Sequence, residues 1–76
     1  MKELLETLVR ALVDHPGEVE ISEVKGEQST VFELRVNPDD MGKVIGRQGR
    51  IAKALRTVIK AAAMREGTRA TVDILD

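Results

Sequence analysis

The chain has 76 residues, of which 33% are charged; its formal net charge is −1, it has no cysteine, and Phe32 is its one aromatic residue. A chain this short buries only about 60% of its unfolded surface, so residues 1–76 are expected to form a single domain whose one core is built from Leu, Ile, Val, Ala and Met. The lack of cysteine excludes a disulfide framework and a thiolate metal site, and no apolar run approaches the ~20 residues of a membrane-spanning helix. With charge alternating with leucine at the N-terminus instead of a basic region and an apolar run, the expectation is a cytoplasmic protein with no membrane association.

In chain order, Leu4, Leu5, Leu8, Val9, Leu12 and Val13 fall on one stripe of a helix, with Glu3, Glu6, Arg10 and Asp14 opposite, which predicts a helix over residues 2–14. His15-Pro16-Gly17 ends it, because the residue before proline is pushed out of the α region. Glu18 to Val24 reads as a short strand with Val19 and Ile21 on one face and a slip at Ser22-Glu23-Val24 that suggests a bulge. Lys25-Gly26-Glu27-Gln28-Ser29 supplies a turn, and Thr30 to Val36 then places Phe32, Leu34 and Val36 on one face of a second strand, antiparallel to the first. Asn37-Pro38-Asp39-Asp40 stops that strand and caps a short helix from Asp39 to Ile45.

Gly46 stops the short helix. A longer one is predicted from Gly49 to Arg65, with Ile51, Ala52, Leu55, Val58, Ile59 and Ala62 on its apolar face and Gly67 just past its end. Met41, Met64 and the Ala61-Ala62-Ala63 run read as core or close helix packing, with a dimer contact as the other reading of Met64. Ala70, Val72 and Ile74 share one face of a final strand. The order is α-β-β-α-α-β, and a two-helix crossover between the second and third strands makes them parallel neighbours. The fold class is therefore α+β, a three-stranded mixed sheet with three helices on one face.

Charge is distributed unevenly along this order. Residues 1–41 carry four basic and ten acidic side chains, giving −6, whereas residues 42–69 carry eight basic side chains against Glu66 alone, giving +7. Asp73 and Asp76 add −2. The basic block coincides with Val44-Ile45-Gly46-Arg47-Gln48-Gly49, a Gly-x-x-Gly turn between two helices. Two glycines let the backbone approach a ligand without an intervening Cβ, and the N–H groups of Arg47, Gln48, Gly49 and Arg50 lie at the start of a helix, where the macrodipole favours an anion. Lys43, Arg47, Arg50 and Lys53 add positive charge there, so the stretch points to nucleic-acid phosphate. Arg56, Lys60 and Arg65 fall opposite the apolar stripe and read as a solvated face; Arg69 stays open.

No catalytic pattern competes with this reading. His15 has no second histidine or cysteine with which to share a metal, Asp39 and Asp40 read as helix caps, and Ser22 and Ser29 lack a general base nearby in sequence. The nucleotide-hydrolase loop and the Gly-x-Gly-x-x-Gly dinucleotide fingerprint are absent. The expectation is a protein that is not an enzyme, with no cofactor, metal or small-molecule substrate.

With its helix on each side, its preceding hairpin and its basic surroundings, the turn resembles the Gly-x-x-Gly loop of KH domains, and an α-β pair ahead of a β-α-α-β core is similar to their type II arrangement. A lone domain carrying Val44-Ile45-Gly46-Arg47-Gln48-Gly49-Arg50-Ile51-Ala52-Lys53-Ala54-Leu55-Arg56 resembles the small bacterial KhpA family. The resemblance implies that Gly46, Arg47, Gln48 and Gly49 clamp the backbone of single-stranded RNA while bases lie on an apolar groove. It also implies that Val44, Ile45 and part of the Ile51, Ala52 and Leu55 surface line that groove. Many KH domains place a β-branched aliphatic three residues after the second glycine; here that residue is Ala52. The resemblance further implies RNA-chaperone or post-transcriptional regulatory activity, a homodimer or a heterodimer with a KhpB-type partner, and a role in cell-wall biogenesis and cell shape. Two other readings of the residues stand beside it: a helix-turn-helix-like DNA binder, and a protein-interaction module with a vestigial RNA surface.

Overall fold

The computed structural model describes residues 1–76. Helix α1 spans Lys2–Leu12, strand β1 Glu20–Lys25, strand β2 Ser29–Arg35, helix α2 Met41–Ile45, helix α3 Arg50–Arg65 and strand β3 Arg69–Ile74, with 3-10 turns at Pro16–Glu18, Pro38–Asp40 and Arg47–Gly49. The sheet order is β1-β2-β3, with β2 antiparallel to β1 and parallel to β3. This is the mixed sheet and the element order expected from the sequence.

Helix α1 is amphipathic and buries Leu5 and Val9. It ends two residues earlier than its apolar stripe predicts. Val13 is already extended, and the next two backbone N–H groups, of Asp14 and His15, donate to the Asp40 carboxylate instead of to helix carbonyls. A side chain 26 residues away has thus overridden local periodicity.

The β1–β2 ladder pairs one residue with one from Glu20↔Arg35 to Lys25↔Thr30, so the bulge suggested by the sequence is absent. Ile21 points to the core, while Val24 lies opposite Val31 on the other face and is 51% exposed. The apparent slip was the switch from one face to the other that every strand makes at each residue. Phe32 and Leu34 of β2 and Val72 of β3 complete the sheet's contribution to the core, and Val36 packs against it from beyond the strand end.

Above this face lie Leu5 and Val9 of α1, Val44 of α2, and Leu55 and Ile59 of α3. On α3 the buried positions are Ala52, Leu55, Ile59 and Ala63. The centre of the stripe therefore lies nearer Ala63 than predicted, and Val58 is 41% exposed. Met64 is 66% exposed, so it is not a core residue. The opposite face of the sheet carries Glu20, Ser22, Val24, Glu33, Thr71 and Asp73 toward solvent or at partial burial. No helix is long and apolar enough to cross a membrane.

Candidate functional site

The five residues of α2 end at Ile45, and the chain then turns through three left-handed conformations. Gly46 has φ 75° and ψ 176°, a region essentially confined to glycine, Gln48 has φ 57°, and Gly49 has φ 73°. The two glycines are needed for different reasons. A Cβ on Gly46 would stand 2.7 Å from Cγ1 of Ile51, whereas one on Gly49 would meet nothing within 4 Å. Gly46 is thus also a packing residue, and Gly49 is open to an approaching ligand. Gln48 bears the cost of a left-handed conformation without being glycine, which is characteristic of functional turns.

Hydrogen bonding refines which amides are available. The Gly49 N–H donates to the Gly46 carbonyl at 3.2 Å and the Arg50 N–H to the Arg47 carbonyl. Both close the turn. The other two N–H groups of the turn are those of Arg47 and Gln48. Both residues are exposed, and they stand just ahead of the positive end of the 16-residue helix α3.

Of the eight basic residues between 42 and 69, only Lys43 has a carboxylate within 4.0 Å. Its ammonium donates to Asp14 and lies 3.7 Å from Asp40 Oδ1. The bond to Asp14, working against partial desolvation, holds the Lys43 pKa above the ordinary lysine value, with the charges of Asp14 and Asp40 adding to it. The sequence pattern places Lys43 among the phosphate contacts; in the structure its charge is matched within the molecule. Arg47, Arg50, Lys53, Arg56, Lys60, Arg65 and Arg69 are exposed and unpaired.

The groove assigned from sequence needs correction. Val44 has no exposed surface, and Ala52 and Leu55 are each 5% exposed, so these three belong to the core and cannot line a surface groove. Ile45 remains 37% exposed and Ile51 half-buried beside the turn. A concave surface lies on the other flank of α3, where a cleft of about 770 Å³ opens between that helix and strands β2 and β3. Lys53, Arg56, Lys60 and Met64 form its helix wall and Arg69 and Thr71 its strand wall, with no carboxylate among the lining residues. Arg56 fixes this wall to the sheet, its Nε donating to the Val72 carbonyl at 2.9 Å. Since β3 pairs only with β2, that carbonyl would otherwise be an open edge group.

By periodicity alone Arg56 and Lys60 belong to a solvated face. Lys53, Arg56, Lys60 and Met64 recur at i, i+3, i+7 and i+11, one stripe beside the buried one. Nothing in the periodicity separates a stripe facing water from one facing an edge strand.

The remaining polar cluster is structural in its contacts. Asp40 is fully buried and accepts from the Asp14 N–H at 3.1 Å, from the His15 N–H at 3.0 Å and from His15 Nδ1 at 3.1 Å. Burial by itself would raise its pKa, but the hydrogen bonds from Asp14 and His15 outweigh it and hold the carboxyl below the usual carboxylate value. Asp40 was expected to cap a helix. That role falls to Asn37, whose side chain accepts from the Asp39 N–H at 2.8 Å. No three His, Asp or Glu side chains are placed to hold a metal ion.

The chain is similar to known proteins over nearly its whole length. Residues 2–74 match the KH domain of the KhpA/KhpB family. RNA-binding protein KhpA of Clostridium acetobutylicum is 65% identical over 75 residues, covering 99% of this chain and 100% of that one. The proteins of the same name from Halalkalibacterium halodurans and Aquifex aeolicus are 55% and 45% identical over all 76 residues, which cover 100% and 96% of those chains. No solved structure matches the chain. On the full-length family match and on these identities, the chain belongs to the KhpA/KhpB KH-domain family.

Proposed function

We propose that this protein binds single-stranded RNA without catalysis, holding the phosphate backbone at the Gly46-Arg47-Gln48-Gly49 turn and leading the strand along the α3–β3 cleft. The observation that carries this reading is the placement of unpaired cations: Arg47 and Arg50 stand at the turn and Lys53, Arg56, Lys60 and Arg69 along one carboxylate-free cleft, while the acidic residues lie elsewhere. Exposed backbone at Arg47 and Gln48 beside those cations suits a phosphodiester oxygen. The name carried by the relatives, RNA-binding protein KhpA, supports the same reading.

The cleft contains no aromatic side chain, so base stacking worth ~1 to 3 kcal/mol per base is not available from it. Affinity then rests on charge and backbone contact, which makes a single domain a weak, salt-sensitive binder. Paired domains raise affinity through effective concentration. The working form in this reading is a homodimer or a heterodimer with a KhpB-type chain, acting in the cytoplasm on RNA as a chaperone or post-transcriptional regulator. The exposed apolar side chains of Leu4, Leu12 and Val58 are available to such a contact.

The test is fluorescence anisotropy with labelled single-stranded RNA. Replacing Arg47 and Gln48 together by Asp should abolish binding while the thermal midpoint changes little, because both side chains are exposed. Affinity retained by the double variant would falsify the assignment of the turn. Stronger binding of duplex DNA than of RNA at one salt concentration would favour the helix-turn-helix reading.

A further inference from the structure

We propose that Asp40 is a positioning residue for the Gly46–Gly49 turn, a buried carboxylate that locks the connector between α1 and β1 onto the helix that enters the turn. The inference rests on the reading of that turn as the RNA-binding element.

Helix α2 has only five residues, too few to be stable alone, so its orientation has to come from outside it. Two anchors supply it. Val44, at 0% exposure, is held by the core near the C-terminal end. Asp40 holds the N-terminal end, and its side chain makes no bond to the amides of its own helix. Both its oxygens reach across to the connector, Oδ1 to the Asp14 N–H and Oδ2 to the N–H and ring of His15. Lys43, one turn further along α2, closes the same joint by donating to Asp14 beside Asp40.

A carboxylate with no exposed surface is costly to keep ionised unless its lone pairs are filled. Here every buried side-chain polar atom has a partner. The arrangement has a direct consequence for the turn. The Gly46 N–H donates to the Gly42 carbonyl at 2.9 Å, two residues beyond Asp40, so a rotation of α2 is passed to Gly46 without an intervening flexible residue. Positions of the Arg47 and Gln48 amides therefore depend on a joint that touches neither.

Asp40→Asn keeps the shape but places an amide donor where an N–H now donates, so the joint cannot be fully satisfied. The experiment measures affinity for a short mixed-sequence single-stranded RNA together with amide resonances by NMR, well below each variant's melting midpoint. The expected result for Asp40→Asn is an affinity loss of about fivefold or more, with Gly46 and Gly49 resonances displaced and their exchange accelerated. Ile21→Ala, a core variant on β1, should lower the midpoint yet leave those resonances and the affinity in place. If Asp40→Asn does not fold, His15→Ala removes only the ring donor and should show the same displacement with a smaller loss, about twofold. A folded Asp40→Asn or His15→Ala with unmoved glycine resonances and wild-type affinity overturns the proposal, as does an Ile21→Ala variant that moves them equally. Wild-type protein with no affinity for RNA would sink the RNA reading alone, since the glycine resonances still decide whether Asp40 holds the turn.

Discussion

Replacing each loop glycine by alanine should separate backbone strain from packing within one turn. At Gly46 an alanine meets two penalties. Its φ of 75° and ψ of 176° lie where side chains are essentially not tolerated, at about 1 to 3 kcal/mol, and its Cβ would stand 2.7 Å from Ile51 Cγ1 and 3.0 Å from Cδ1. Because Ile51 is half-buried against the core, moving it adds the cost of overpacking, about 1 to 3 kcal/mol. At Gly49 only the left-handed conformation matters, about 1 to 2 kcal/mol, since its Cβ would point into open space. In a domain of this size each kcal/mol moves the thermal midpoint by about 4 to 8 °C. Calorimetry should therefore find Gly46→Ala destabilised by about 2 to 6 kcal/mol and Gly49→Ala by about 1 to 2 kcal/mol. Adding Ile51→Ala should recover part of the Gly46→Ala loss and none of the Gly49→Ala loss. Equal losses for the two single variants, or a double-mutant cycle without coupling between residues 46 and 51, would refute the packing argument.

The bond from Arg56 to the edge strand gives a second expectation. Arg56→Ala should cost about 1 kcal/mol of stability by chemical denaturation and weaken RNA binding, whereas Arg56→Lys should lose the Val72 contact yet retain most of the affinity that charge alone supplies. A third concerns pH. The Asp40 pKa is depressed in the folded protein, so its contribution is present above the unfolded value of about 3.9 and is lost as pH falls through the lower folded value. Denaturation midpoints should drop below about pH 4, and Asp40→Asn should flatten that limb. The Lys43 pKa is raised, so its contribution is present below about pH 10.4 and is lost only above it. Lys43→Met should accordingly lower stability at neutral pH and, since its partners are the carboxylates of Asp14 and Asp40, make the acid limb shallower.

The elements were legible in the sequence because each rests on a local signal. The 3.6-residue stripe of α1, the alternation of Phe32 and Leu34, the Asn37-Pro38 stop and the Gly67 end each act within a few residues of themselves. So did the site's centre, since the glycines at 46 and 49 and the charge block around them lie together in the chain. The order of elements then restricted the sheet to one arrangement, because a two-helix crossover cannot join antiparallel neighbours as a hairpin does.

What only the tertiary structure decided is which surfaces face one another. Val44 and Leu55 looked like a groove lining because an apolar residue beside a binding turn carries no mark of whether another element covers it; both lie in the core. Arg56 and Lys60 looked like a solvated stripe until β3 docked alongside α3 and made a cleft wall of them. Asp14, His15, Asp40 and Lys43 are scattered over 30 positions and meet only when α1 and α2 pack. Lys43, read from the sequence as a free cation, thereby becomes part of a joint. Local periodicity determines which side of an element is apolar, but burial, pairing and concavity belong to pairs of elements, and the chain alone does not specify them.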